Sequence, residues 1–534
     1  MNSLVIVIIS FFLFIWGYRV YARKLENLWQ INSANPVPSK TKYDGVDFVP
    51  ARNWLVLFGH HFSSIAGAGP IVGPVIACCI WGWGPALIWV VLGAIFLGGV
   101  HDFSSLIVSI REGGNSISTI ASKAISRRAH IMFAIFVWLA LILVIAVFVY
   151  LCADTFVNEP RIILPSLGLI PLALVVGLLL YRFKTNHALA TVIGLVGFVA
   201  LIVLGQFFFI TKVSLTWWVV ILLVYSFFAS VLPVNILLQP RDYLSGYLLF
   251  FGVAAGFLGL VISHPPMQLP AFIKFNSGEG FIWPMLFVTV ACGAISGFHC
   301  LISSGTTSKQ IANERDVKKV GYGAMVMEGL VAVIAILAIS AGLGKQSLID
   351  KSSPVVLFGS GYGVITKSFL FGYGGMMAML ILNAFILTTL DTATRITRYI
   401  TEELLNFNNR YFSTAIVVVL GGALALVKDK FNTPVWKKLW PAFGASNQLV
   451  AALALFVVSC WLLSKNKSAK ITLYPAVFML VTAVAALVYQ AIVNFKNGNY
   501  LLFAISLILI ILAFIMTIDV IRVFRIKRNP INKE

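Results

Sequence analysis

Serines, glycines and prolines crowd one stretch, Ser63-Ser64-Ile65-Ala66-Gly67-Ala68-Gly69-Pro70, which continues to Gly73-Pro74 inside an apolar run from about Trp54 to Ile80. Five helix-weakening residues fall within the eight positions 67–74. Each proline removes a backbone donor and each glycine loosens the turn, so a membrane-length helix is expected to break here. Freed backbone groups survive in a bilayer only when buried in protein or lining a polar cavity. A half-helix that starts at such a break exposes unpaired amides with partial positive charge, which suits a carboxylate. Ser63, Ser64, Ala66, Gly67 and Gly69 are therefore candidate substrate-binding positions, and Pro70 a structural one. A second stretch, Tyr225-Ser226-Phe227-Phe228-Ala229-Ser230-Val231-Leu232-Pro233-Val234-Asn235, offers Ser230 as a further hydroxyl and Pro233 as a second breaker. For any one of these serines, packing between helices is the plainer alternative.

Ion coupling calls for other residue types. His101-Asp102 sets an imidazole beside a carboxylate, a pairing able to exchange protons near neutral pH. Neighbours on a helix point about 100° apart, so the two need not touch, and Asp102 has a simpler use as a partner for Arg111. Ser303-Ser304-Gly305-Thr306 gathers hydroxyls at a helix end, where they would ligate Na⁺ or cap the helix. His101, Asp102, Ser303, Ser304 and Thr306 are the candidate coupling residues. Asp391 is expected to pair with Arg395 at i+4, and at least one of His60 and His61 to be interfacial. His299 reads as a packed, hydrogen-bonded histidine, and Glu328 as a carboxylate inside a span. No His-Glu-x-x-His occurs and the six cysteines lie in apolar runs, so neither a metal, a disulfide framework nor an enzyme is expected.

The elements that must position these residues follow from composition. The chain has 534 residues, 60% hydrophobic and 11% charged. Apolar runs long enough to span, at roughly 20 residues each, recur throughout; about fifteen are expected, with no organic cofactor. Among them are 4–20, 215–238, 281–305, 368–393 and 412–427. The longest polar segment, 19–53, leaves no room for an attached nucleotide-binding domain, and no Walker A sequence is present. The net charge of +20 resides between spans and reflects orientation, not nucleic-acid binding. Its alternation places the N-terminus outside and the C-terminus in the cytoplasm, although Lys428, Lys430, Lys437 and Lys438 fall on the wrong side.

The two stretches lie five spans apart and run in opposite directions. That is the layout of a LeuT-like 5+5 inverted repeat with two broken helices. On this count, 1–53 holds a first helix and a cytoplasmic loop, 54–210 the first repeat and 215–395 the second. Residues 396–534 hold accessory helices and a basic tail.

Several motifs, in order, resemble those of the carbon starvation protein A (CstA) family. They are HFSSIAGAGPIVGPVIA (61–77), VHDFSSLIVSIREGGNSI (100–117), ASVLPVNILLQPRDYL (229–244), SGFHCLISSGTTSKQI (296–311), GYGAMVMEG (321–329), TTLDTATRITRYITEEL (388–404) and WPAFGASNQLVAALAL (440–455). The resemblance marks Gly67, Gly69, Pro70, Asp102, Pro233, Arg241, Asp242, Ser304, Thr306, Asp391 and Asn447 as motif positions. It gives none of them a role; Arg241 and Asp242 follow Pro240 at a cytoplasmic end, which favours gating or loop structure over substrate contact. It implies a multi-pass transporter of the bacterial inner membrane that imports peptides or pyruvate during nutrient limitation, with H⁺ (or Na⁺) as coupling ion. An ion channel and a non-transporting sensor are the alternatives. The chain lacks the added segments of longer members.

Overall fold

Long runs of Leu, Val, Ile and Phe satisfy their backbone groups in an apolar surround by folding as helices. The structure, a computed structural model, describes residues 2–528 apart from 46, 52, 180–182, 184, 233–237, 346–351, 408 and 428–435. The described chain is almost wholly helical; its one sheet is a two-stranded hairpin pairing Asn276–Ser277 with Gly280–Phe281. In order, the main helices are α1 (Ser3–Trp29), α2 (Trp54–Ile65), α3 (Gly69–Trp81), α4 (Trp83–Arg111), α5 (Arg127–Asn158), α6 (Pro160–Gly177) and α7 (His187–Gly205). Next come α8 (Leu215–Val231), α9 (Leu238–Ser263), α10 (282–289), α11 (Gly297–Gly305) and α12 (Glu314–Leu343). The last are α13 (Pro354–Ile365), α14 (Gly374–Leu405), α15 (Arg410–Leu426), α16 (Trp436–Ser464), α17 (Lys470–Lys496) and α18 (Tyr500–Arg528).

Eleven described helices are long and apolar enough to cross a membrane, or twelve if the bent pair α2–α3 counts as one span. The expected count of about fifteen exceeds this. Two expected spans, at 215–238 and 412–427, correspond to the shorter helices α8 and α15, and a third, 281–305, is divided. Helix α13 occupies a stretch for which no span was expected. The interior is built from α12, α14 and α16, the most buried spans, with α5 beside them; α1, α7 and α18 turn most of their apolar surface outward.

The break after Ser63-Ser64 forms as the sequence predicts. Helix α2 ends at Ile65, α3 begins at Gly69, and the two axes differ by 47°. The second expected break, at Pro233, falls in the stretch between the end of α8 and the start of α9 at Leu238. Helix α8 runs without interruption to Val231, and Pro233 and Asn235 lie outside the described residues. A further interruption falls between α10 and α11, at 290–296. No proline marks it; tertiary contacts do. A Cβ on Gly69 would lie 2.3 Å from the Cys292 Sγ, and one on Gly73 would lie 2.4 Å from the Thr289 carbonyl oxygen. The glycines of the first break thus let this interruption press against it.

Two further local features aim polar residues inward. Helices α4 and α12 each contain a turn of π-helix, at Ala94–Gly98 and Lys318–Tyr322. A π turn shifts the phase of every later side chain and frees carbonyls. The Tyr322 hydroxyl donates to the Ile95 carbonyl at 2.9 Å, tying one π turn to the other. His101-Asp102 and Glu328 each follow their π turn within two turns of helix.

Candidate functional site

Residues 61–75 are all buried, so the first break is closed to solvent. The Ser63 and Ser64 hydroxyls donate back to the His60 carbonyl, at 3.1 and 2.8 Å. The Ala66 amide caps α2 by donating to the Phe62 carbonyl. Among the described residues the Gly67 and Ala68 amides have no hydrogen-bond partner, and no side chain caps α3. Gly67 faces the Phe148 ring and the Thr389 Oγ1, a buried hydroxyl that itself lacks a partner. The opposite half-helix is different. At the start of α11, Asn447 of α16 accepts from the Phe298 amide at 3.0 Å and donates to the Ser296 Oγ at 3.0 Å and the Cys292 Sγ at 3.2 Å. One helix start is filled by the protein's own amide side chain, and the other is left with bare N–H groups.

Ser230 does not join this break. It sits in the last turn of α8, buried and without a hydroxyl partner, on a helix packed against α5, α14 and α15.

His101 and Asp102 do touch, Nδ1 to Oδ1 at 2.7 Å, and Asp102 does not pair with Arg111. Arg111 reaches Glu314 instead, at 2.9 Å. The second Asp102 oxygen meets the His299 Nδ1 at 2.7 Å, and the His299 Nε2 lies 3.0 Å from Glu328 Oε2, within ion-pair reach but off hydrogen-bond alignment. All four side chains are fully buried. The chain His101–Asp102–His299–Glu328 therefore links α4, α11 and α12 just behind the interruption that precedes α11. His61 is buried beside it, with Nδ1 2.8 Å from the Thr307 Oγ1 and Nε2 unpartnered. His299 and Glu328 are the functional candidates that sequence reasoning left out. An isolated carboxylate deep in an apolar span was the available signal for Glu328.

The hydroxyl cluster at the end of α11 is mostly turned back on its own helix. Ser304 donates to the Cys300 carbonyl at 2.6 Å and Thr306 to the Ile302 carbonyl at 3.0 Å; Ser303 is buried without a partner.

The expected Asp391–Arg395 pair is also replaced. Asp391 pairs with Arg241, and the Tyr225 hydroxyl donates to Asp391 at 2.7 Å. Arg241 also meets Asp242 at 2.9 Å, and His60 stands 3.7 Å from Asp242. Arg395 is drawn to the carbonyls of Ala229 and Leu232 at the end of α8. Arg241 satisfies Asp391 from another helix, which frees Arg395 to serve the orphan carbonyls of a helix C-terminus. The Arg241 and Asp242 side chains are thus buried ties between α2, α8, α9 and α14. Among the described residues, no group of three or more side chains forms a metal site.

A bundle with facing interrupted helices and a buried ionisable chain defines a membrane protein of the LeuT-type transporter fold. Two solved structures share it at low identity. A manganese transporter from Eremococcus coleocola, in complex with an aromatic bis-isothiourea substituted compound, aligns with TM-score 0.53 and 12% identity over 92% of this chain and 99% of its own. MhsT in complex with L-phenylalanine aligns with TM-score 0.50 and 13% identity over 88% and 99%. The chain belongs to the carbon starvation protein CstA family, whose family model matches residues 2–341 and 338–486. Its relatives include the peptide transporter CstA of Escherichia coli strain K12, 31% identical over 91% of this chain and 80% of that protein. The peptide transporter CstA of Bacillus subtilis strain 168 is 29% identical over 98% and 97%. The pyruvate/proton symporter BtsT of Escherichia coli strain K12 is 30% identical over 91% and 81%.

Proposed function

We propose that this protein is a secondary active transporter of the bacterial inner membrane that imports a small carboxylate-bearing nutrient, a peptide or pyruvate, driven by protons. One observation carries the reading. Two helix breaks face each other inside the bundle, one with unpartnered amides at Gly67 and Ala68, beside a buried chain of imidazoles and carboxylates. The amides suit the substrate carboxylate, with Ser63, Ser64, Ala66 and Gly69 shaping the pocket as the helices part. The titratable chain suits H⁺, because imidazole and carboxyl groups bind and release protons.

The names of the relatives support transport of peptides or pyruvate. The arrangement we favour remains a 5+5 inverted repeat. Its first unit is 54–210 and its second 215–395. The N-terminus is outside and the C-terminus cytoplasmic, following the basic loops.

The test is uptake by proteoliposomes of labelled pyruvate and a labelled dipeptide, each under an imposed proton gradient, a Na⁺ gradient or none. Concentrative, saturable uptake of one substrate under the proton gradient supports the reading. Non-saturating flux without accumulation would make the protein a channel. No flux of either substrate, with carboxylate-responsive signalling intact, would make it a sensor.

A further inference from the structure

The chain Asp102–His299–Glu328 holds more negative charge than any fixed cation near it offsets. Both carboxylates are fully buried, and among the described residues neither pairs with a lysine or arginine: Asp102 meets only His101 and His299, and Glu328 only His299. The titratable groups around them are His61 from α2, His101 from α4, Cys292 from the interruption before α11, and His299 and Cys300 from α11. Neutral thiols supply no positive charge, so protons on imidazole or carboxyl are what offset the two carboxylates.

The geometry distinguishes the two acids. Asp102 has an imidazole Nδ1 within 2.7 Å of each oxygen, and two N–H donors suit an ionised carboxylate. Glu328 has no hydrogen bond to either oxygen, and the unpartnered His299 Nε2 lies 3.0 Å from its Oε2. That gap has room for one proton. Resting on the transporter reading, we propose that His299 Nε2 and the Glu328 carboxyl share the coupling proton, while His101 and Asp102 are positioning residues that fix the His299 ring.

The transfer is a simple one. A proton on Glu328 moves to His299 Nε2, leaving a carboxylate beside an imidazolium, with no other bond made or broken. His299 rides on α11, the half-helix that starts at this interruption, and Glu328 on the neighbouring span α12. A substrate that rearranges the break alters the gap, and with it the affinity of the pair for a proton. This gives the substrate and proton sites a mechanical link through one short helix.

The experiment uses the full-length purified protein in two arms. Infrared difference spectra across a pH series, with no substrate present, should show in wild type a protonated-carboxyl band that Glu328→Gln removes and Asp102→Asn does not. In proteoliposomes where wild type accumulates pyruvate or a dipeptide under a proton gradient, Glu328→Gln should lose that accumulation. Asp102→Asn should keep gradient-driven accumulation with a displaced pH profile. Glu328→Asp, which keeps the acid and widens the gap, should accumulate with a displaced profile and guards against a misfolded amide variant. Accumulation by Glu328→Gln equal to wild type, a carboxyl band that survives it, or an unchanged profile in Glu328→Asp would overturn the assignment. If wild type moves neither substrate the transport reading fails, and the infrared arm still decides where the proton resides.

Discussion

Gly69 and Cys292 show how little space separates the two breaks. The Cβ of Gly69→Ala would lie 2.3 Å from a sulfur on the opposite segment, so one of the two must move. Overpacking of this kind costs ~1–3 kcal/mol. Gly69→Ala should melt earlier in detergent and lose uptake, and the Cys292→Gly partner, which removes both the sulfur and the Cβ at 2.4 Å, should restore part of both. Equal melting of Gly69→Ala and wild type would mean that the breaks do not meet as described. Arg241 offers a second test at this scale. Arg241→Ala would strand the buried carboxylates of Asp391 and Asp242, a loss of about 3–5 kcal/mol when one partner of a buried pair is removed. Arg241→Lys should recover only part of it, because one ammonium does not replace a guanidinium that reaches both acids. Thermal melting of the three proteins checks this.

Single residues also mark where the sequence was readable. The first break was legible because Gly67, Gly69, Pro70, Gly73 and Pro74 all weaken a helix in the same place. The interruption before α11 was not, because Ala291-Cys292-Gly293-Ala294-Ile295-Ser296 contains little that a helix refuses. His101-Asp102 was legible as a proton-capable pair. Its continuation to His299, 197 residues from Asp102, was set by how α4 and α11 pack. Asp391 misled because a local i+4 rule knows nothing of a guanidinium arriving from α9.

At the scale of elements, the segment between α1 and α2 works as a strap. Ser39 donates to the Ile311 carbonyl at 2.5 Å and the Ala51 amide to the Gln310 carbonyl at 2.7 Å. Glu314, fully buried, accepts from the Asn32 amide at 2.9 Å, the Asn35 side chain at 2.6 Å and Arg111 at 2.9 Å. The strap thereby ties α1 to the ends of α4 and α12. Removing the carboxylate deletes three hydrogen bonds to partly exposed donors, at about 0.5–1.5 kcal/mol each. Glu314→Ala should therefore make residues 30–53 a preferred site of limited proteolysis while the spans stay protected. Protection equal to wild type would show that the strap holds without it. The helix start capped by Asn447 makes a different prediction. Asn447→Leu removes the acceptor of the Phe298 amide, so α11 should loosen and uptake should fall before folding does; uptake and melting measured side by side check the order.

For the whole molecule, the fold class follows from span-length apolar runs and broken helices, and the family comparison agrees. The number of spans was less legible, because α8 and α15 are shorter than a full crossing and 281–305 is interrupted. The central claim is that a carboxylate in the break and a proton in the buried chain cross together. The direct measurement is the pH inside proteoliposomes carrying a trapped pH-sensitive dye, with a dipeptide or pyruvate added outside and no gradient imposed. We predict acidification of the lumen that follows substrate entry, saturates with substrate and disappears in Glu328→Gln. Labelled substrate entering with no change in luminal pH would contradict the account.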